Sequence, residues 1–217
     1  MEQREFFAHR QLNTPKAAAI AGLLFSLLFA VIIWLFRKSV PPDPLESGEW
    51  LVSNVGSAAL AVNLIPFCGV AFLWFLGVLR DRLGDLEDRF FSTVFFGSGL
   101  LFVAMLFVAA ALIGAIILVA STAEPRNPIN LTAFKFFRAM SFIVINVYAT
   151  KMAGVFMISM STVIMYTGIV PRWIAYVGYG LALVLVIGSY YETWVITVLP
   201  AWVLLVSLAI LKGDGTK

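Results

Sequence analysis

Lys151, in the run VYATKMAGVF (residues 147–156), puts an ammonium inside an apolar segment. A cation at that place does one of two things. It reaches out to the headgroups as an anchor, or it lies buried in a cavity and pairs with an acid. No Asp or Glu lies inside the apolar runs, so an acidic partner has to come from a loop, and Glu192, Glu124 and Glu49 are the choices on the same side. Amides, hydroxyls and prolines supply a second kind of chemistry. A proline within a helix frees the carbonyl four residues before it, so Pro66 frees that of Val62, beside Asn63, and Pro200 frees that of Ile196, beside Thr197. Freed carbonyls near such side chains are the material from which polar sites in lipid are built. Lys151, Asn63, Pro66, Asn146, Thr197, Pro200 and Glu192 therefore form the candidate ligand site, drawn mainly from the second, fourth and sixth apolar segments.

A third group of charges lies in the connection GVLRDRLGDLEDRFF, residues 77–91. Its signs alternate, and Asp85 with Arg89 makes an i to i+4 pair if helix continues through it. The plain reading is a solvated turn between two helices. Gly77, Leu79, Asp81 and Gly84 also spell G-x-L-x-D-x-x-G, which resembles the first half of the loop between the second and third helices of major facilitator transporters. The resemblance covers eight positions; Asp85-Leu86 stand where a basic pair should follow, and the chain has half the usual number of spans. It implies a gating charge at Asp81, in a loop that also carries Arg82, Asp85 and Arg89.

Enzyme signatures are missing: there is no intramembrane Asp pair, no His-Glu-x-x-His helix, no serine nucleophile elbow and no glycine-rich phosphate loop. The single histidine, His9, lies in the N-terminal tail, and the single cysteine, Cys68, lies in an apolar run. A non-enzymatic protein with no cofactor and no metal is the expectation.

These residues need elements to position them, and composition says which. Hydrophobic residues make up 61% and charged residues 12% of 217 residues, with a mean hydropathy of +0.96, too little polar surface to cover a soluble globule. An all-α integral membrane protein of a single domain follows, because uninterrupted apolar runs replace the alternation that barrel strands need. Six runs are long enough to cross about 30 Å of hydrocarbon. They cover approximately residues 16–36, 51–79, 91–121, 132–170, 172–190 and 193–211. Thr14-Pro15 starts the first, Gly168 closes the fourth and Pro171 opens the fifth. A very short turn at 190–193 predicts that the last two helices form an antiparallel hairpin.

Orientation follows from the cations. Arg4, Arg10, Lys16, Arg80, Arg82, Arg89, Arg172, Lys212 and Lys217 fall on one side; Arg37, Lys38, Arg126, Lys135 and Arg138 fall on the other. The richer side is the cytoplasmic one, so both termini are expected inside. A net charge of +3 is then a matter of membrane orientation, and nucleic acid is excluded as a partner. The partners are the bilayer, with a second copy or another membrane protein as further choices, and the expected location is the plasma membrane. Trp34, Trp50 and Trp194 mark the outer boundary, Trp74 and Trp173 the inner, while Trp202 is mid-span and reads as packing.

The outer connections are proline-broken: residues 39–49 form a stiff exposed loop, and residues 121–131 include the glycosylation triplet Asn130-Leu131-Thr132. The fourth segment is overlong. Met152 to Val170 already supplies about 28 Å of helix, which moves Lys151 to the outer boundary. Residues 132–150 either overhang as a continuation of that helix or form a separate helix in the outer interface. At about 100° per residue Lys135, Arg138 and Asn146 share one face, and Lys151 points the opposite way.

Two functions remain. The first is a multi-span membrane protein acting through helix packing or the binding of a partner or lipid. The alternative is a small, dimeric transporter or channel with its site between the second, fourth and sixth spans.

Overall fold

The computed structural model describes residues 14–46, 48–83, 89–122, 131–188 and 194–213. Among them every regular element is a helix. They are α1 (Thr14–Ser39), the short α2 (Trp50–Ser53), α3 (Val55–Leu83), α4 (Arg89–Thr122), α5 (Leu131–Ile143), a π-helical segment (Val144–Ala149), α6 (Thr150–Thr167), α7 (Arg172–Gly188), a 3-10 turn (Val195–Thr197) and α8 (Val198–Gly213). Five helices are long and apolar enough to span a membrane, the stretch Leu131–Thr167 counting as one. α7, with 17 residues, is the short member of the bundle, about 26 Å at 1.5 Å per residue. The chain is an all-α membrane protein.

Neighbouring helices run antiparallel, and the contacts show it residue by residue. α1 packs on α3, with Phe25 against Phe72 at 4.6 Å between ring centroids and Gly22 beside Phe75. On its other side α1 packs on α8, where Gly22 meets Ser207 and Ser26 Oγ donates to Pro200 O at 2.9 Å. α3 packs on α4, with Gly69 under Phe107 and Gly99 under Leu76. α6 packs on α7, with Gly154 against the Ala182 carbonyl and Gly178 against Ser161. Lipid is as apolar as these side chains, so close approach at small residues, rather than escape from water, is what joins the helices.

The centre is aromatic. Phe72 touches Phe102 at 5.4 Å and Phe156 at 5.2 Å, Phe156 touches Phe95 at 5.2 Å and Trp202 at 6.5 Å, mostly in tilted or edge-on geometry. One cluster thereby ties α1, α3, α4, α6 and α8 together. Trp202 is 1% exposed and donates from Nε1 to Ile174 O at 3.3 Å, the packing role its mid-span position predicts.

Several expectations change on contact with the structure. The last helix leans on α1 far more than on α7, so the hairpin is a loose one, and the turn expected at 190–193 lies outside the described residues. Residues 132–150 are no separate helix: they continue into α6 through the π segment and lie along the C-terminal half of α4. The physical reason is that the extension has partners of its own. Ser141 Oγ donates to Ala109 O at 3.2 Å, and Phe134 packs with Trp50, Ala58, Ile113 and Ile116. Trp50, expected at the boundary, is for that reason 3% exposed, whereas Trp34, Trp74, Trp173 and Trp194 all stay exposed. Gly168 ends α6 with φ 63° and its N–H on Ile164 O, as its position before Pro171 predicts.

Candidate functional site

A cavity of about 570 Å³ opens at the end of the bundle that carries Pro41 and Trp194. Helix lengths explain it. α8 fills the place between α1 and α6 in one half of the bundle, but it starts only at Val198, while α1 and α5 continue past that level. The gap left between α1 and α5 is the cavity. Phe29, Ile32, Ile33 and Phe36 line it from α1, Ile65 and Cys68 from α3, Leu106 and Ile113 from α4. Arg138, Ser141 and Phe142 line it from α5, Ile145 and Asn146 from the π segment. Trp194, Ile196, Arg37 and the turn at Pro41-Pro42 stand round its rim. Its lining stops at Phe29, Cys68 and Leu106, and beyond Phe29 lies the aromatic cluster, which Phe29 joins through Phe25 at 5.5 Å and Phe102 at 6.3 Å.

Arg138 is the polar focus. It is 6% exposed, and its Nη2 donates to Pro41 O at 2.6 Å, joining positions 97 residues apart. Its Nε has no partner among the described residues. Glu46 and Asp43 are the acids whose charge acts on it. Each of those carboxylates is occupied locally, Asp43 Oδ1 accepting from Leu45 N at 2.9 Å and Glu46 Oε1 from Gly48 N at 2.7 Å. These bonds shape the turn, in which Pro42, Asp43, Leu45 and Glu49 are exposed, as expected of this loop, while Pro41 is half-buried.

The π segment widens the helix where it borders the cavity. Thr150 N–H reaches Ile145 O, five residues back, and Thr150 Oγ1 donates to the same carbonyl at 2.9 Å. Asn146 Nδ2 donates to Phe142 O at 3.0 Å. Such single wide turns recur at functional sites because they displace side chains from the regular helical register.

Of the candidate ligand residues read from sequence, Asn146 alone among those described lines the cavity. Lys151 is exposed on the perimeter of the bundle, opposite the cavity face, as the helical phase predicts. Asn63 and Pro66 also face outward, and Asn63 Nδ2 donates back to Ala59 O at 2.9 Å within its own helix. Pro200 is buried in the first turn of α8, where no helical N–H is needed, so it makes no mid-span break. Thr197 Oγ1 donates to Trp194 O at 2.6 Å in the turn before it. Glu192 and Asp85 lie outside the described residues; Asp81 and Arg82 belong to the end of α3, and Arg89 opens α4. The structure therefore does not gather the six described candidates into one place. It gathers Arg138, Ser141, Asn146 and Pro41 instead. The helical phase put Arg138 and Asn146 on one face, but no spacing rule connects either with Pro41.

Among the described residues no group of three His, Cys, Asp or Glu side chains is placed to hold a metal ion. No family model, no curated protein and no solved structure matches the chain.

Proposed function

We propose that this multi-pass membrane protein is non-enzymatic and works by receiving the hydrocarbon chain of a membrane lipid in the cavity between α1 and α5. The observation that carries this reading is the cavity's make-up: about 570 Å³, walled mainly by Phe, Ile and Leu side chains from four helices, with a few polar groups at one end. Ligand pockets have this size and this division between apolar wall and sparse polar contacts. The aromatic cluster beyond Phe29 supports binding over the alternative of a transporter or channel. A conducting path between the second, fourth and sixth spans has to pass where Phe25, Phe72, Phe102, Phe156 and Trp202 are packed, all of them 1% exposed or less. The partner is then the bilayer's own lipid.

The test is photolabelling of the purified chain in detergent with a phosphatidylcholine bearing a diazirine on one acyl chain, the labelled residues being mapped by mass spectrometry. Labels are expected on 29–36 and 141–146. The variant Ile33→Trp, which fills the cavity, is expected to lose most of them while eluting as a single species. Labels confined to perimeter side chains such as Phe67, Trp74 and Leu118, unchanged in Ile33→Trp, would sink the reading.

A further inference from the structure

We infer that the bound lipid carries an anionic head, a carboxylate or a phosphate, held by Arg138 under the Pro41-Pro42 turn; this rests on the cavity being the lipid site proposed above. Burying a guanidinium among apolar side chains is expensive, and an unmatched donor on it adds to that cost. Arg138 nonetheless sits at the cavity wall with 6% exposure, one strong bond to Pro41 O and an unpartnered Nε. The other buried groups without partners among the described residues, Trp50 Nε1, Ser161 Oγ and Ser207 Oγ, are not in the cavity lining.

The lining itself points to the ligand's charge. Among the described residues it includes two cations, Arg37 at the rim and Arg138 within, and neither Asp nor Glu. The nearby carboxylates of Asp43 and Glu46 are taken up by the backbone of their own turn and act on Arg138 through space. A guanidinium presents a planar fork of donors that fits the paired oxygens of carboxylate and phosphate, and with one Nη2 bond spent on Pro41 most of that fork remains. An anionic head at the Pro41 end and a chain running toward Phe29 satisfy both the charge and the apolar wall. Arg138 thus sets head preference, and the phenyl and isoleucine side chains set chain binding.

The experiment compares photoreactive lipids of one chain type and different heads: phosphatidylcholine, phosphatidylglycerol and the free fatty acid. Wild-type protein is expected to label in the cavity roughly tenfold more with the two anionic lipids than with phosphatidylcholine, the factor expected of one charge-assisted bidentate contact. Arg138→Gln is expected to bring that ratio close to one while chain labelling at 29–36 persists, and Arg138→Lys to keep part of it. Asp43→Asn with Glu46→Gln keeps both backbone acceptors, removes the competing charge and is expected to raise the ratio; it also serves if Arg138→Gln does not fold. Equal labelling by all heads in the wild type, or a preference that survives in Arg138→Gln, overturns the inference and leaves the chain site standing. Displacement of the anionic lipids by millimolar inorganic phosphate, without dependence on the chain, overturns the headgroup as the source of the anion. Absence of cavity labelling with every lipid is a failure of the chain site itself.

Discussion

Gly22 and Gly178 lie so close to neighbouring helices that a methyl group on either would collide. At Gly178 the obstacles are Ser161 Oγ and the Trp202 indole; at Gly22 they are Ser207 Oγ and the Phe75 ring. Side-chain hydrogen bonds between helices, such as Ser26 Oγ to Pro200 O, average only about 0.6 kcal/mol in membrane proteins, so close packing has to carry the association. Gly178→Leu is accordingly expected to destabilise the bundle by about 1–3 kcal/mol, the usual cost of overpacking. Gly180, two positions on, has open space where its Cβ would be, so Gly180→Leu is expected to leave stability unchanged. Thermal unfolding in detergent, followed by intrinsic fluorescence, compares the two; equal losses would show that α7 packs differently. Lys151 is exposed on the perimeter and takes no part in the cavity lining.

At the scale of elements, the stretch from Leu131 to Thr167 decides most of what is particular to this protein. Its 37 residues make about 55 Å of helix, well beyond the hydrocarbon core, and it stays whole because α4, with 34 residues, runs beside it. The π segment marks the passage from the half that packs on α7 to the half that borders the cavity. A π turn holds one residue more than the regular helix needs, so deleting Val147 is expected to restore α-helical bonding. The protein should then still fold, with Gly154 and Gly178 in their places, but Ile145 and Asn146 would leave the cavity wall. Chain labelling at 141–146 is expected to fall several-fold, and unchanged labelling would mean that the wide turn has no part in shaping the cavity.

The molecule as a whole is a bundle with a packed aromatic middle and a cavity open at the Pro41 end, and the sidedness of that end matters for which leaflet supplies the ligand. From the cation count the Pro41 end is expected outside and both termini inside. In a Cys68→Ser background, a cysteine at Asp43 is expected to react with an impermeant maleimide on intact cells. One at Lys212 should react only after permeabilisation, and the reverse pattern would turn the cavity to the cytoplasmic leaflet. Cys68 is 1% exposed and its thiol approaches Phe25 O at 3.8 Å, so a small hydroxyl there is the least disturbing replacement.

Hydrophobicity alone determined the class, the number of helices, their alternating direction and most of their ends, because lipid admits only segments whose backbone groups are satisfied within the segment. The stops at Gly168 and the packing role of Trp202 were legible for the same local reasons. Helical phase also set Arg138 and Asn146 on one face and Lys151 on the other. What the chain order did not carry was the meeting of that face with anything else. Pro41 O reaches Arg138 across 97 residues, and the cavity exists because α8 begins lower than α1 and α5 end, a difference of level between helices far apart in the sequence. Asn63 and Pro66 looked like site residues by type, yet the rotation of α3 turns them to the perimeter. Periodicity tells which residues share a face; only the packed bundle decides what that face meets.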